Sequence, residues 1–287
     1  MNIGIDIGGN HVGMGIVNEN GKIIVSDVFN YENRDANATD IFHAINHFIA
    51  ENRDYSIESI GIGIPGIITG TRINYTCNLP IGNFDMKDYL DTELPIYLSN
   101  DARCATIAEY RLTDNHKYSN YALVTIGTGI GSGLIINGKL FSGTSGSAGE
   151  IGHTVIDKDG VPCKCGRRGC FEQYASTTAL KRMTGLDSVK EIFYLSEKND
   201  VIKRVLETYI ENLSEGLANF INAFDIEKIS IGGGLSRFGD RFIPELKEKI
   251  SNKICNKYTS DINIGAATLR NEAGIIGASF LKEYLNV

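Results

Sequence analysis

Residues 3–28 have the sequence IGIDIGGNHVGMGIVNENGKIIVSDV, in which three short apolar segments are separated by turn-forming residues. The segments are IGIDI at 3–7, Val12–Val17 and Ile23–Val28, with Gly8-Gly9 at the first corner and Asn18-Glu19-Asn20-Gly21 at the second. Short apolar runs bounded by glycine and asparagine are typical of β-strands and their turns. The sequence therefore predicts a β-meander with a glycine-rich first corner.

The same pattern returns at residues 121–140, YALVTIGTGIGSGLIINGKL. A strand (ALVTI) leads to a corner with glycines at 127, 129 and 131, and a second strand (GLII) ends at Asn137-Gly138, a strong hairpin signal. The two copies differ mainly by two extra residues in the first hairpin turn. We interpret them as an internal duplication of a strand-rich lobe.

Helical patterns alternate with these strands. After Thr39 one helical face carries five apolar residues, Ile41, Phe42, Ile45, Phe48 and Ile49, and a buried strand follows at Ile60–Ile64. The second half predicts a helix with the apolar positions Val201, Val205, Leu206, Tyr209, Ile210, Leu213, Leu217, Phe220 and Ile221, then a strand at Lys228–Ile231 and a closing helix near Ala273–Tyr284. Alternation of this kind indicates an α/β protein. We expect an N-terminal lobe of residues 1–118, onto which 273–287 packs back, and a C-terminal lobe of residues 119–272, facing each other across a cleft.

The composition is that of an ordinary globular protein and narrows the class of partner. Of 287 residues, 42% are hydrophobic and 22% are charged, and the formal net charge is −7. Proteins whose main partner is a nucleic acid backbone or an anionic membrane are more often basic, so the charge favours a small-molecule ligand. The first residues lack the pattern of a signal peptide, and no apolar run reaches the ~18–20 residues that span a bilayer. We therefore expect a cytoplasmic protein that binds neither nucleic acid nor membrane.

Each predicted lobe carries a glycine corner directly after its first strand. Such corners let backbone N–H groups approach an anion without a Cβ atom in the way. An acidic residue inside an apolar strand is costly unless it is paired, and Asp6, beside the first corner, is suitably placed to hold Mg²⁺ through water. Taken alone, a glycine pair between strands is more often a simple turn. The two corners together suggest a grip on the two ends of a triphosphate.

Two further glycine patterns are excluded by their context. Gly133 to Lys139 imitates a Walker loop, but Leu140 replaces the required Ser or Thr and the segment has the form of a hairpin. Gly61 to Gly66 spells a dinucleotide-binding fingerprint, but Pro65 and the residues after it do not open a helix.

The cysteines of the second half form the most specific pattern. His153 precedes Cys163, Cys165 and Cys170, which lie in the loop GVPCKCGRRGC. Three thiols and one imidazole match a tetrahedral structural zinc site, in which the protein fills all four positions. Three unrelated reduced thiols are the alternative. A closed set of ligands would shape a loop and would not activate a nucleophile.

Several acceptor side chains accompany this loop. Asn100-Asp101 lies between a strand-like stretch and a helical run, where α/β folds place reacting groups, although by itself it is also a helix N-cap. Glu150 and Glu172 lie close in sequence to the predicted zinc ligands. A zinc-held loop would therefore gather two carboxylates and an imidazole, a set suited to sugar hydroxyls.

Eight segments together resemble the ROK group of sugar kinases and repressors, in the family's order and over nearly the whole chain. They are DIGGN at 6–10, GIPG at 63–66, Asn78-Leu79-Pro80, Asn100-Asp101-Ala102, GTGIGSG at 127–133, GEIGH at 149–153, CKCGRRGCFEQY at 163–174 and GGGLS at 232–236. The resemblance implies an actin-like fold of two lobes, related to ribonuclease H, with ATP and a sugar in the cleft and commonly a homodimer.

The resemblance also implies roles for single residues. Asp101 would be the catalytic base, acting on a hexose hydroxyl, most simply O6 of glucose. Further sugar contacts would be Asn78, Asn100, Glu150, His153 and Glu172, and the zinc ligands would be His153, Cys163, Cys165 and Cys170. The nucleotide would be held by Asp6, Gly8, Gly9 and Asn10, by Gly127, Thr128, Gly129 and Gly131, and by Gly233 and Gly234. N-acetylmannosamine, allose, fructose and mannose stay open as substrates, because a pocket distinguishes epimers through few side chains.

One position departs from the family pattern, and two other functions compete with the kinase. The family usually has Thr after DIGG, whereas this chain has Asn10, whose amide can also donate to phosphate. A repressor of the same family would carry a DNA-binding segment before the first lobe, and here Met1 directly precedes the first strand. A catalytically silent sugar-binding protein is disfavoured by the presence of Asp101.

Overall fold

The computed structural model describes residues 1–31, 38–76, 79, 83–114, 116–255 and 263–285. The chain forms two compact units. The first consists of Met1–Lys117, Lys139–Ala148 and Leu269–Val287, and the second of Tyr118–Gly138 and Gly149–Thr268. The segment Lys139–Ala148, which the sequence assigns to the C-terminal lobe, thus belongs to the first unit.

Strands occupy both units. In chain order they are β1 (Asn2–Ile7), β2 (His11–Val17), β3 (Ile23–Asn30), β4 (Ser59–Gly63), β5 (Ile67–Thr69), β6 (Arg72–Tyr75), β7 (Phe84–Asp85), β8 (Ile96–Ser99), β9 (Tyr121–Ile126), β10 (Ile130–Ile136), β11 (Lys139–Leu140), β12 (Lys228–Gly232) and β13 (Asn263–Ala266).

Helices connect and cover the strands. They are α1 (Ala38–Glu51), α2 (Asp101–Leu112), α3 (Glu172–Ala175), α4 (Thr177–Thr184), α5 (Val189–Ser196), α6 (Asp200–Phe224), α7 (Gly239–Ser251), α8 (Ala273–Ser279) and α9 (Leu281–Tyr284). Short 3-10 turns lie at Met86–Asp88, Ile151–His153, Gly234–Phe238 and Arg270–Glu272. Within the described ranges, no helix combines the length and the apolar character that crossing a membrane requires.

The chain has two five-stranded sheets with the same plan. Their strand orders are β3-β2-β1-β4-β8 and β11-β10-β9-β12-β13. In the first unit β1 is antiparallel to β2 and parallel to β4, and in the second unit β9 is antiparallel to β10 and parallel to β12. This common order and direction is what an internal duplication predicts, and the mixed sheets with their helices confirm the α/β fold class.

The local predictions hold where periodicity and turn chemistry are strong. All five apolar positions predicted on the first helix are buried in α1. Asn137 and Gly138 have φ angles of 51° and 73° and join β10 to β11, so the Walker-like segment is a hairpin. Pro65 and its neighbours lead into the short strand β5 and not into a helix. Both rejections of a nucleotide motif are therefore confirmed.

Helix α8 packs directly on the first sheet. A Cβ atom on Gly4 of β1 would lie 1.9 Å from the carbonyl oxygen of Ile275, and one on Gly61 of β4 would lie 1.7 Å from that of Ala278. The helix backbone therefore occupies the space that side chains would need. The isoleucines of β1 and β4 pack in one core cluster with the buried residues of α1, whereas the buried residues of α8 pack in another with those of α2.

The predicted apolar positions all lie in α6, and they differ in burial. Val201, in the first turn, is 58% exposed, whereas Leu206, Tyr209 and Ile210 are buried. The closing helix near Ala273–Tyr284 is divided into α8 and α9, since the chain leaves helical geometry at Phe280, whose ψ is 1°.

Candidate active site and metal centre

The carboxyl edge of the first sheet brings Asp6 close to Asp101. Asp6 in β1 is in register with Gly63 of β4, and Gly63 is in register with Ser99, the last residue of β8. Because these three strands are parallel, their carboxyl ends meet at one edge, where α/β folds place reacting groups. Asp101 follows Ser99 by two residues, and its negative charge acts on Asp6.

Asp101 is the first residue of α2, and Asn100 is its N-cap. The Ala102 N–H donates to Asn100 Oδ1 at 3.0 Å and to Asp101 Oδ1 at 2.9 Å. The simple cap suggested by the sequence is therefore present. One oxygen of Asp101 is held against the helix start, which fixes the orientation of the whole carboxyl group.

Burial raises the pKa of both carboxyl groups. Desolvation, helped by the charge of Asp101, raises the pKa of Asp6 to about 7. Desolvation also raises the pKa of Asp101, although hydrogen bonds from the N–H groups of Ala102 and of Asp101 itself act in the opposite direction. The fully buried thiol of Cys104 lies near both acids, and burial raises its pKa well above the usual value. A carboxylate with a raised pKa is a better proton acceptor than an exposed one, which suits Asp101 to general base catalysis.

The first glycine corner, Gly8-Gly9-Asn10, is braced by a tyrosine. The Gly8 N–H donates to the His11 carbonyl at 2.9 Å, and the Tyr31 N–H donates to the Asn10 carbonyl at 3.0 Å. The Tyr31 hydroxyl also donates to the Gly8 carbonyl, and Asn10 Oδ1 lies 2.9 Å from His11 Nδ1. Sequence reasoning missed Tyr31, because its position after β3 shows its partners only when the sheet has formed.

The second glycine corner follows β9 and includes an exposed residue, Thr128. The Gly127 N–H donates to the Gly129 carbonyl at 3.0 Å, which reverses the chain. Gly131 already belongs to β10 and pairs with Thr125 of β9. The corner is therefore a tight loop between two antiparallel strands.

The structure brings the third predicted nucleotide segment beside this corner. Gly232, the last residue of β12, is in register with Thr125 of β9. A Cβ atom on Gly233 would lie 2.5 Å from the Ile126 carbonyl oxygen, so the two backbones are in contact there. A Cβ atom on Gly234 would meet no described atom within 4 Å, which leaves open space beside the corner.

The predicted sugar contacts of the second unit occupy different local settings. Glu172 begins α3, and its Oε2 accepts a hydrogen bond of 3.0 Å from the Ile130 N–H. Glu150 precedes the 3-10 turn Ile151–His153 with an exposed side chain. The Nδ1 atom of His153 lies 3.7 Å from Cys163 Sγ, so Nε2 is on the opposite side of the ring. Asn78 lies outside the described residues.

His153, Cys163, Cys165 and Cys170 converge on one point. Their ligand atoms all lie within 4.8 Å of one another, and the sulfurs of Cys165 and Cys170 are 3.5 Å apart. The prediction that these four residues form one cluster is therefore confirmed. Three sulfurs and one imidazole nitrogen at this spacing match the ligand set of a closed zinc site.

Local backbone bonds build this cluster. The Cys163 N–H donates to the Arg167 carbonyl at 2.8 Å, and the Gly166 N–H donates to the Cys163 carbonyl at 3.1 Å. The chain between Cys163 and Arg167 is thus a tight turn that carries two of the ligands. Cys170 is bridged to Val155, which follows the 3-10 turn Ile151–His153 and its C-cap Thr154.

The thiols of the cluster differ in their protonation. Burial, followed by the neighbouring thiols Cys165 and Cys163, raises the pKa of Cys170 to about 12. A hydrogen bond from the Arg167 N–H is the largest influence on Cys165 and lowers its pKa. Three thiolates in one cluster repel one another unless a cation is present, so the arrangement fits a bound divalent metal.

The chain is similar in sequence to sugar kinases and to repressors. A model of the ROK family matches residues 2–284. A glucokinase of Halalkalibacterium halodurans is 32% identical, with 97% of this chain and 94% of the relative covered. An N-acetylmannosamine kinase of Haemophilus influenzae is also 32% identical, with the same coverage. A xylose repressor of Caldicellulosiruptor bescii is 29% identical over 96% of this chain and 76% of the repressor.

Solved structures of the same family are similar to this chain over nearly its whole length. A ROK family glucokinase from Streptomyces griseus, in complex with glucose and AMPPNP, has a TM-score of 0.79 and 29% identity, with 98% of each chain covered. The ROK hexokinase of Thermus thermophilus has a TM-score of 0.86 and 25% identity, covering 98% of this chain and 97% of that one. The α/β fold with two mixed sheets is therefore that of the actin-like ROK structures.

Proposed function

Because the chain belongs to the ROK family, we propose that it is an ATP-dependent sugar kinase in which Asp101 is the general base. The observation that carries the proposal is the setting of the Asp101 carboxyl group. It is fixed at the start of α2, at the carboxyl edge of the sheet and close to Asp6, and its pKa is raised by burial. A raised pKa and a fixed orientation are what a base needs to take a proton from a hydroxyl group.

The reaction needs positioning and charge neutralisation more than covalent chemistry from the protein. Asp101 accepts the proton of a sugar hydroxyl while that oxygen attacks the γ-phosphorus of ATP. The bond between the γ-phosphorus and the bridging oxygen breaks, and ADP leaves. The fixed carboxyl of Asp101 supplies the orientation that this in-line attack requires.

Asp6 fits the role of a magnesium-binding residue. Its carboxyl group is held at the end of β1, and a nearby cation would favour its ionised form over the neutral form that burial favours. Mg²⁺ bound with the nucleotide would neutralise charge on the phosphates, as it does in phosphoryl transfer generally. We assign the phosphates to the corners Gly8-Gly9-Asn10 and Gly127–Gly131, and the adenosine side to Gly233-Gly234.

The sugar contacts that we propose are Asn78, Asn100, Asp101, Glu150, His153 and Glu172. Glucose phosphorylated at O6 is our first choice of reaction. It is supported by the likeness to the Halalkalibacterium glucokinase and to the glucose-bound Streptomyces structure. N-acetylmannosamine is the second choice, because the Haemophilus kinase is equally similar in sequence. Carboxylate and imidazole acceptors suit the hydroxyls that the two sugars share.

We propose zinc as the structural metal of the cluster His153, Cys163, Cys165 and Cys170. All four positions of a tetrahedral site would be filled by the protein, so this metal would order the loop and leave no coordination site for substrate. With His153 Nδ1 toward the metal, Nε2 is left for a sugar hydroxyl, and one residue would serve both sites.

The rival from another class is a sugar-responsive repressor, since xylose repressors match nearly the whole chain. A repressor needs to bind sugar but does not need a catalytic base. Asp101 therefore supports the kinase, and a gel-shift assay with promoter DNA separates the two functions. The expected homodimer is a separate proposal, which sedimentation equilibrium tests.

An assay of ADP release tests the kinase directly. Purified protein with ATP and Mg²⁺ is offered a panel of hexoses and N-acetylhexosamines, and we expect turnover with glucose above the other sugars. Absence of sugar-dependent ADP release across the panel would contradict the proposal.

Asp101→Asn is the matched variant for this assay. Asparagine keeps the size and the cap hydrogen bond but cannot accept the proton, so we expect kcat to fall by roughly 10²–10⁴-fold. Zinc content and thermal unfolding should match the wild type. Turnover close to the wild-type rate would remove Asp101 from the mechanism.

A further inference from the structure

The short segment from Glu172 to Thr178 contacts the second glycine corner at four points. The Thr177 N–H and hydroxyl both donate to the Gly127 carbonyl, at 2.9 and 2.7 Å. The Thr178 hydroxyl donates to the Thr128 carbonyl at 2.8 Å. From the other end of the segment, Glu172 accepts from the Ile130 N–H. Glu172 is one of the proposed sugar contacts, but Thr177 and Thr178 belong neither to those contacts nor to the metal cluster, so their hydrogen bonds require another explanation.

These contacts leave two backbone N–H groups of the corner available as hydrogen-bond donors. Within the corner, the Gly127 N–H donates to the Gly129 carbonyl, and the Ile130 N–H donates to Glu172. The N–H groups of Thr128 and Gly129 donate to no residue in the described part of the chain. Backbone N–H groups in a tight glycine turn are the usual donors to phosphate oxygens.

The planarity of the peptide bond connects the threonine hydrogen bonds to carbonyl oxygens with the orientation of these two N–H groups. The Gly127 carbonyl and the Thr128 N–H belong to one rigid peptide unit, and the Thr128 carbonyl and the Gly129 N–H belong to the next. Fixing a carbonyl oxygen therefore fixes the direction of the N–H group that follows it. Thr177 thus orients the Thr128 N–H, and Thr178 orients the Gly129 N–H.

The segment that supplies these hydroxyls is itself firmly held. The buried Ser176 caps α4 by accepting from the Ala179 N–H at 3.1 Å. The buried Tyr209 of α6 donates to the Ala175 carbonyl at 2.7 Å. At the corner, a Cβ atom on Gly129 would lie 2.2 Å from Glu172 Oε2, so only glycine allows the carboxylate to approach this closely.

We propose that Thr177 and Thr178 are positioning residues that set the affinity for the nucleotide triphosphate by orienting the N–H groups of Thr128 and Gly129. This inference rests on the proposed function, because it assumes that the corner binds phosphate. The role is distinct from that of the glycines: neither threonine needs to touch the nucleotide.

Valine variants test the proposal, because valine keeps the shape of threonine and loses the hydroxyl. We expect Thr178→Val to weaken the binding of AMPPNP with Mg²⁺ by roughly 5-fold, the usual effect of one lost hydrogen bond. Thr177→Val should have a smaller effect, roughly 2- to 3-fold, because its N–H still donates to the Gly127 carbonyl. The double variant should lose roughly 10-fold or more. Isothermal titration calorimetry measures these dissociation constants.

Two further readouts separate positioning from general damage. The KM for ATP should rise while the KM for the sugar and the zinc content stay unchanged, and Thr178→Ser, which keeps a hydroxyl, should restore nucleotide binding. The matched control is Thr208→Val, since that exposed threonine makes a hydrogen bond of 2.9 Å to the Arg204 carbonyl far along α6. Thr208→Val should bind AMPPNP like the wild type.

The outcomes distinguish this inference from the proposed function. If the wild type turns over ATP and both valine variants bind AMPPNP as tightly as the wild type, the positioning role is wrong and the kinase stands. An equal rise in the dissociation constants of sugar and nucleotide would also overturn it, since that would be general damage. If the wild type binds no nucleotide in the presence of Mg²⁺, the proposed function fails and the inference fails with it.

Discussion

At the scale of single residues, the carboxyl group of Asp6 is enclosed within the first unit, and burial raises its pKa. In β1, the residues before and after Asp6 are the fully buried Ile5 and Ile7, and Asp101 adds a second negative charge nearby. A Cβ atom on Gly274 would lie 2.2 Å from Asp6 Oδ2, so the start of α8 closes over the carboxylate. Such an enclosed acid favours its neutral form until a cation is bound.

The raised pKa of Asp6 predicts a pH-dependent stability. Its pKa is about 7 in the folded protein and 3.8 as a free side chain, so the folded state keeps a proton that the unfolded state loses between these values. The contribution of Asp6 to the free energy of unfolding is therefore present below about pH 4 and is lost as the pH rises to 7. Without Mg²⁺ or nucleotide, Asp6→Asn should gain thermal stability relative to the wild type between pH 5 and pH 8.

Thermal unfolding at a series of pH values measures this gain. The control is Asp54→Asn, which makes the same chemical change at an exposed site and should shift little with pH relative to the wild type. A difference between Asp6→Asn and the wild type that stays constant from pH 5 to pH 8 would contradict the raised pKa.

At the scale of elements, the packing of α8 on β1 and β4 depends on contact between backbones. Ordinary helix and sheet packing places side chains between the layers, with sheets and helices about 10 Å apart. Here the carbonyl groups of Ile275 and Ala278 lie where Gly4 and Gly61 have no side chain. Gly4 and Gly61 are therefore structural requirements of this interface.

Gly61→Ala should be strongly destabilising. The new methyl group would lie 1.7 Å from the Ala278 carbonyl oxygen, so the helix or the strand must move, and we expect a loss of about 3 kcal/mol or more in the free energy of unfolding. The matched control is Gly185→Ala at the end of α4, where φ is 69° but no described atom lies within 4 Å of the new methyl group. That change should cost only about 1 kcal/mol, from backbone strain. Urea unfolding compares the two, and equal losses would contradict the close approach.

At the scale of the whole molecule, the cluster His153, Cys163, Cys165 and Cys170 and the second glycine corner belong to the same unit and are connected through a short piece of chain. Cys170 is a predicted metal ligand, Glu172 contacts the corner two residues later, and Thr177 and Thr178 follow after one helical turn. Ordering of this loop by a metal should therefore affect both the proposed sugar contacts and the corner.

Removing the metal should weaken ligand binding and stability together. The wild type should contain about one zinc ion per chain. Cys163→Ser or treatment with a chelator should lower the melting temperature by roughly 5–10 °C or more, because structural zinc contributes directly to folding free energy. Cys255→Ser is the control, since Cys255 is exposed and lies outside the cluster. Elemental analysis, thermal unfolding and sugar titration check the prediction; metal-free protein that melts and binds sugar like the wild type would contradict it.

Sequence alone determined the features that depend on neighbours along the chain. The apolar period of α1, the Asn137-Gly138 hairpin and the spacing of the cysteines are local signals, and each led to the observed structure because a helix, a turn and a metal loop form from nearby residues. The family motifs also allowed the fold class and the candidate site residues to be predicted from the sequence.

Only the tertiary structure decided which distant groups meet. Thr177 and Thr178 contact a corner fifty residues earlier, Tyr31 braces Gly8 across a sheet edge, and the pKa of Asp6 depends on burial and on Asp101. The exposure of Val201 likewise depends on where the core ends and not on the helical period. Burial and long-range hydrogen bonds arise when separate strands and helices pack, so no local pattern of residues carries them.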